Sequence, residues 1–316
     1  MALPVTHTSS VGPVADAGPT EVIERAAEAE LLEAALLSGA HVLLEGPPGT
    51  GKSTLLRQVA TGRRIAFVMV EGNAELTPAR LIGHFDPALV LTKGYVPDIF
   101  ADGPLLEAMR TGGLLYVEEL NRIPEETLNV LLTAMSELEI TVPRLGRVAA
   151  APGFALVAAM NPFDAVGTAR VSGALYDRTC RISMDYQTAE AEQEIVGLRT
   201  RDIDPTWRAR VVELVRSTRD HDDIRFGSSV RGAIDVARLS VELARLRGTT
   251  TDDWHVGLAA AKAALSGRIR LHDGCDRTPE QVVTALYVAV FGAEPSESDR
   301  DPASDSDASP GSPGEP

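Results

Sequence analysis

HVLLEGPPGTGKSTLLR, residues 41–57, is the stretch whose reading decides the fold. Val42, Leu43 and Leu44 form a short apolar run of the length a buried strand needs. Gly46-Pro47-Pro48-Gly49-Thr50-Gly51-Lys52-Ser53 then fits the spacing G-x-x-x-x-G-K-[ST], and Thr54 to Ala60 reads as a helix. Strand, glycine-rich loop and helix in that order make a phosphate site. Glycines let backbone N–H groups turn inward around an anion, and the helix N-terminus adds partial positive charge. Lys52 has the reach for β- and γ-phosphates, and Ser53 has a hydroxyl for Mg²⁺. Gly46, Pro47, Pro48, Gly49, Thr50, Gly51, Lys52, Ser53 and Thr54 are therefore the candidate residues for binding a nucleoside triphosphate. A glycine-rich turn holding a lysine by chance would not explain agreement at all four fixed positions and in both flanks.

The chain is long enough for one large or two modest domains, and its 44% apolar content supplies a globular core. The net charge is −15, with 45 acids against 30 bases, which argues against a duplex-binding face. Residues 293–316 carry seven acids and only Arg300, so that segment is net −6 and the remainder about −9. Cys180 and Cys275 make no metal cluster, and access to ATP implies a cytoplasmic, reducing setting. No apolar run approaches the roughly 18 residues of a membrane span, and no signal peptide is visible.

Taken in order, residues 1–18 read as a disordered leader and 19–38 as an amphipathic helix feeding the first strand. Residues 65–70 are a continuous apolar run, the mark of a strand buried on both faces of a parallel sheet. A short helix is expected over 76–84, a β-hairpin over 89–96 around Lys93-Gly94, and a helix over 100–111. Residues 114–119, LLYVEE, deliver two carboxylates to the sheet's C-terminal edge, where ligands collect in α/β sheets. A helix over 125–137, a hairpin turning at Leu145-Gly146, a buried strand over 154–160, a short helix over 172–178 and a last strand over 180–184 complete the α/β part. From about residue 189 the periodicity is helical throughout: 189–200, 205–218, 228–247, 251–266 and 278–291. The expected domains are a leader (1–18), an α/β nucleotide-binding core (19–187), a helical lid (188–292) and an acidic disordered tail (293–316).

The α/β part supplies a set of reactive groups. Lys52 and Ser53 hold phosphates and metal, and Glu118 is placed to hold Mg²⁺, directly or through water. Glu119 is the group to polarise the attacking water, and Asn161 the amide to orient it. Arg178 has two readings: a guanidinium that stabilises the transferring phosphoryl, including from a neighbouring subunit, or a surface partner of Asp177. Arg231, early in a helix of the lid, either reaches the nucleotide or is an ordinary helix arginine. The histidines show no metal spacing and are given no role, and Trp207 and Trp254 are expected to pack between helices.

With these residues in place, the chain resembles the AAA+ ATPases, specifically the MoxR family within the helix-2-insert clade that includes the magnesium-chelatase ATPase subunit. The resemblance covers about residues 19–290. GPPGTGKS resembles the Walker A motif, LLYVEELNR (114–122) the Walker B segment, and VAAMNP (157–162) the sensor-1 strand. ALYDR (174–178) resembles the arginine-finger helix and GSSVR (227–231) the sensor-2 start of a lid helix. One departure stands out: Glu118 occupies a position that is usually Asp, which lengthens the metal-side carboxylate by roughly one C–C bond and points to retained but slow hydrolysis, with metal-bound waters taking up the difference. The resemblance implies a five-stranded parallel sheet with an all-helical lid, ATP and Mg²⁺ as ligands, and a homo-oligomeric, hexameric ring. It also implies a chaperone-like role that remodels, or loads metal or cofactor into, a protein client beside a von Willebrand factor A domain partner. The alternatives are a nucleotide-gated scaffold with little turnover, or a DNA-acting motor, which the acidic balance disfavours.

Overall fold

In a computed structural model of the chain, residues 22–162, 173–200 and 203–295 are described. The expected leader, most of the tail and the start of the 172–178 helix lie outside them. Two compact units divide between Arg199 and Thr200. Each is taken by itself.

The first unit opens with α1 (Ala26–Leu37), β1 (His41–Glu45) and α2 (Lys52–Arg63). β2 (Phe67–Glu71), α3 (Pro78–Ile82), β3 (Gly83–Phe85), α4 (Pro87–Lys93), β4 (Phe100–Asp102) and α5 (Pro104–Thr111) follow. β5 (Leu114–Glu118), α6 (Glu125–Glu137), β6 (Glu139–Val142), β7 (Gly146–Ala149) and β8 (Ala155–Met160) come next. α7 (Gly173–Tyr176), β9 (Thr179–Ser183) and α8 (Ala189–Arg199) close the unit.

Five strands form one parallel sheet in the order β2-β5-β8-β1-β9. Successive side chains alternate between its faces. Leu43, Leu115, Val117, Leu156 and Ala158 pack with Leu106 and Met109 of α5 and Leu131 and Met135 of α6. Leu44, Tyr116, Val157 and Ala159 pack with Leu32 of α1 and Leu55, Leu56 and Val59 of α2. Helices thus cover both faces, which is why the central strands read as unbroken apolar runs. The run at 65–70 misled in one respect. β2 is the sheet's edge, not a doubly buried strand, and Met69 is 39% exposed. An apolar run measures hydrophobicity, not which strands flank it.

The expected hairpin around Lys93-Gly94 is instead α4. Asp86 Oδ1 accepts the N–H groups of Ala88 (2.8 Å) and Leu89 (3.3 Å), and Pro87 sits where no donor is needed. This start winds Leu89-Val90-Leu91 into a helix that Gly94 ends at φ 69°. The antiparallel pair lies outside it: β3 with β4, Phe85 opposite Phe100. Phe100 to Asp102 is therefore strand rather than the start of α5, and His84 is strand rather than the end of α3. The second hairpin is as expected, β6 against β7, with Arg144 at φ 66° in the turn and Gly146 at φ 92° opening β7. Arg144 stacks over Tyr95, 3.7 Å from the ring centre, and ties this hairpin to the α4 excursion.

The second unit contains α9 (Pro205–Ser217), β10 (Ile224–Phe226), α10 (Val230–Arg247), α11 (Trp254–Leu265), β11 (Arg270–Leu271) and α12 (Pro279–Phe291). Helical spacing located all four helices. It missed the two-stranded antiparallel pair β10–β11, so this region is helical but not all-helical. Strands of three and two residues are too short to carry a period. Trp207 packs 6.3 Å from Phe291, and Trp254 packs edge-on 5.6 Å from Tyr287. Cys180 and Cys275 are free thiols.

Candidate nucleotide site

The loop after β1 is shaped by two glycines for different reasons. A Cβ on Gly46 would lie 1.9 Å from the Met184 carbonyl oxygen, so only glycine lets the loop leave the sheet there. A Cβ on Gly51 would make only ordinary contact, 3.8 Å from Gln187 Nε2, but Gly51 sits at φ 87°, a left-handed conformation that L side chains resist, and it caps α2 with backbone alone. An α-helix N-terminus without a side-chain cap offers its first N–H groups to an anion. Thr50 is buried and its hydroxyl donates to Pro47 O at 3.0 Å, bracing the turn. Lys52 Nζ donates to Gly46 O (2.8 Å) and Pro47 O (2.7 Å), which holds its charge over the loop.

The first turn of α2 then meets the end of β5. Ser53 Oγ donates to Glu118 Oε1 at 2.9 Å and lies 3.2 Å from the Tyr116 hydroxyl. Two hard oxygen donors 2.9 Å apart match adjacent ligands on an octahedral cation with bonds of about 2.1 Å. Ser53 and the longer Glu118 side chain thus form the pair of oxygen donors that the site offers to a divalent cation. Sequence reasoning gave Tyr116 no role, because within an apolar strand a tyrosine reads as core.

Glu119 follows at φ 52°, leaving the strand for a single 3₁₀ turn over Leu120–Arg122. Its Oε2 pairs with Arg122 Nη1 at 2.9 Å. Gly72 makes room for this corner: its N–H donates to Glu118 O at 2.7 Å, and a Cβ there would lie 2.4 Å from Glu119 O. Asn161 directly follows β8, which lies beside β5, so the amide and the two acids end neighbouring strands. Asn121, largely buried, donates to Asn161 O at 3.5 Å. Neither Gly72 nor Asn121 carried a readable signal on its own.

Arg178 is placed elsewhere. It immediately precedes β9, whose first residue Thr179 pairs with His41, while Glu45 and the loop lie at the opposite end of β1. Five strand residues at about 3.3 Å each separate the two ends. Its Nε donates to Ser136 Oγ (2.5 Å) and Nη1 to Ala174 O (2.9 Å). The Asp177 carboxylate is 3.9 Å away and well exposed, a pair that contributes little. Arg231 is an exposed residue in the first turn of α10, in the second unit. A further carboxylate, Glu45, lies buried at the base of the loop and accepts from Tyr176 and Arg181.

The sequence profile of the AAA domain (dynein-related subfamily) matches residues 41–179. The gas vesicle ATPase GvpN of Haloferax mediterranei is 30% identical over 242 residues, covering 72% of this chain and 69% of its own. The chain belongs to the AAA+ ATPases. Another relative, an uncharacterised protein of Staphylococcus epidermidis, is 29% identical over 63% of this chain and 78% of its own. Among solved structures, a variant of Thermotoga maritima RuvB superposes with TM-score 0.52 at 21% identity, covering 77% of this chain and 71% of that one. NtrX of Brucella abortus, in complex with ADP, gives TM-score 0.50 at 17% identity over 72% and 52%. These structures share the AAA+ fold with this chain. Among the described residues, no helix is long and apolar enough to cross a membrane.

Proposed function

We propose that this AAA+ protein binds ATP with Mg²⁺ and hydrolyses it, and that an assembled ring of identical subunits, hexameric by the MoxR resemblance, uses the energy to remodel a protein partner in the cytoplasm. The observation that carries this reading is the Ser53–Glu118 contact at 2.9 Å, with Glu119 next in the chain and Asn161 ending the adjacent strand. Ser53 and Glu118 would hold Mg²⁺, which when bound neutralises charge on the phosphate oxygens. The loop N–H groups and Lys52 bind and orient the triphosphate. Glu119, once released from Arg122, takes the proton of the attacking water, and the Asn161 amide orients that water. Arg178 serves the site of the neighbouring subunit, because its own loop lies at the other end of the sheet. By the MoxR resemblance Arg231 is a nucleotide-sensing arginine, and the MoxR-type pairing with a von Willebrand factor A domain protein completes the assembly.

Kinship with a gas vesicle ATPase suggests a client class: proteins that build or surround a gas vesicle. The deciding experiment is affinity capture with Glu119→Gln in ATP. That change keeps the metal pair and removes the base, so nucleotide stays bound and the client is retained. Recovery of the same proteins with Lys52→Ala as with Glu119→Gln would overturn the reading. A second reading, a nucleotide-gated scaffold with negligible turnover, draws on the Glu119–Arg122 pair and on Glu118 in place of aspartate. Single-turnover kinetics of the assembled protein separates the two: hydrolysis on the order of tens per minute excludes the scaffold.

A further inference from the structure

β1 ends on a glutamate whose side chain points into the helix-covered face of the sheet. Glu45 is 3% exposed and shares that face with Leu43, since strand residues two apart point the same way. Burying a carboxylate is costly unless both oxygens are partnered. Here they are. Oε1 accepts the Tyr176 hydroxyl at 2.7 Å, and Oε2 accepts Nε of Arg181 in a close ion pair. Burial, together with the Glu45 bond, raises the Tyr176 phenol to about 12, so it remains a donor at any physiological pH.

The two partners lie on either side of Arg178. Tyr176 ends α7 and Arg181 sits mid-way along β9. The backbone of Glu45 is fixed as well, because its carbonyl accepts the Met184 N–H at 2.7 Å, and Met184 O is the atom that excludes a Cβ at Gly46. One residue therefore touches the first glycine of the phosphate loop in sequence and grips the arginine-bearing segment in space. The span matters because the loop and Arg178 are at opposite ends of the strands.

We propose that Glu45 is a positioning residue that links the phosphate loop of each subunit to the Arg178 it offers to its neighbour, so that nucleotide in one site governs the arginine supplied to the next. This rests on Arg178 acting between subunits. Removing one acceptor charge leaves the α7–β9 corner free to shift, and a misplacement on the order of 1 Å can cost about 100-fold in rate.

Subunit mixing tests it. Glu119→Gln subunits keep nucleotide bound without turning it over, so they still present Arg178 to a neighbour. Wild-type protein is mixed with a fourfold excess of Glu119→Gln subunits that also carry Glu45→Gln, and ATPase is measured per wild-type subunit. At random mixing, about four in five wild-type sites then depend on a misplaced arginine, and turnover falls about fivefold below that with Glu119→Gln alone. Tyr176→Phe in the Glu119→Gln background removes one O–H and keeps the ring, so it covers the case in which Glu45→Gln fails to co-purify with tagged wild type. Glu119→Gln with Arg178→Ala is the control. If the control inhibits and neither the Glu45 nor the Tyr176 form exceeds Glu119→Gln, the linkage is wrong while the inter-subunit arginine stands. If the control also fails to inhibit, the inter-subunit arginine is wrong and this proposal falls with it.

Discussion

His41 was given no role from its spacing, yet it is a structural pivot at the start of β1. The Leu156 N–H donates to Nδ1 at 3.0 Å, so the ring proton must sit on Nε2, which faces Met135 O at 3.2 Å. The ring also packs edge-on against Phe154 at 6.0 Å. Burial lowers its pKa below 6.5, and the Met135 carbonyl only partly opposes this. In the unfolded chain the imidazole takes up its proton as pH falls through about 6.5, while the folded form resists. The contribution is thus fully present above that pH and is lost below it, at a limiting slope of about 1.4 kcal/mol per pH unit for one proton. Urea denaturation between pH 7.5 and 5 should show this loss, and His41→Gln should flatten it. At the same scale, the candidate residues were legible because phosphate and metal chemistry restricts residue type. Glu45 was not, because a glutamate ahead of a glycine reads as solvated until its partners, more than a hundred residues away, are seen.

Among elements, α4 shows capping chemistry overriding strand propensity. Leu89-Val90-Leu91 favours a strand by composition, but Asp86 and Pro87 start a helix ahead of it. Asp86→Ala should cost about 1 kcal/mol and raise amide exchange over residues 88–93 specifically. In the second unit, α11 runs close to α12 at Gly257, where a Cβ would lie 2.2 Å from the Tyr287 hydroxyl oxygen. Tyr287 in turn donates to Trp254 O at 3.2 Å and stacks on Phe291 at 4.4 Å, so the ring cannot give way. Alanine is the better helix former by about 1 kcal/mol, yet Gly257→Ala should destabilise by about 1–3 kcal/mol through overpacking. Thermal denaturation checks this. Adding Tyr287→Phe should recover part of the loss, because it removes the nearest atom.

For the whole molecule, the decisive expectation is that activity depends on assembly. Arg178 is bonded to Ser136 and Ala174 at the end of the sheet away from its own loop, so a monomer lacks that charge at its site. ATPase per subunit should rise with protein concentration, and Arg178→Ala should abolish that rise, with a loss of about 10³-fold or more in kcat while nucleotide affinity stays within about twofold. Turnover that is independent of concentration, with wild-type rates in Arg178→Ala, would remove the inter-subunit site. The acidic balance of −15 sets a second expectation at this scale: duplex DNA should not stimulate turnover at physiological salt.

By itself the sequence determined the strand–loop–helix at residues 41–57, the carboxylates ending at Glu119, the amide at Asn161 and the four helices after residue 200. Each is a local pattern, fixed by hydrophobic period or by the narrow choice of groups that bind phosphate and metal. Only the tertiary structure decided that β2 is an edge strand, that Ser53 reaches Glu118, that Arg178 lies across the sheet from its own loop, and that Tyr176 and Arg181 close on Glu45. Those facts depend on strand order and on pairs far apart in the chain, and neither composition nor spacing encodes which strand lies beside which.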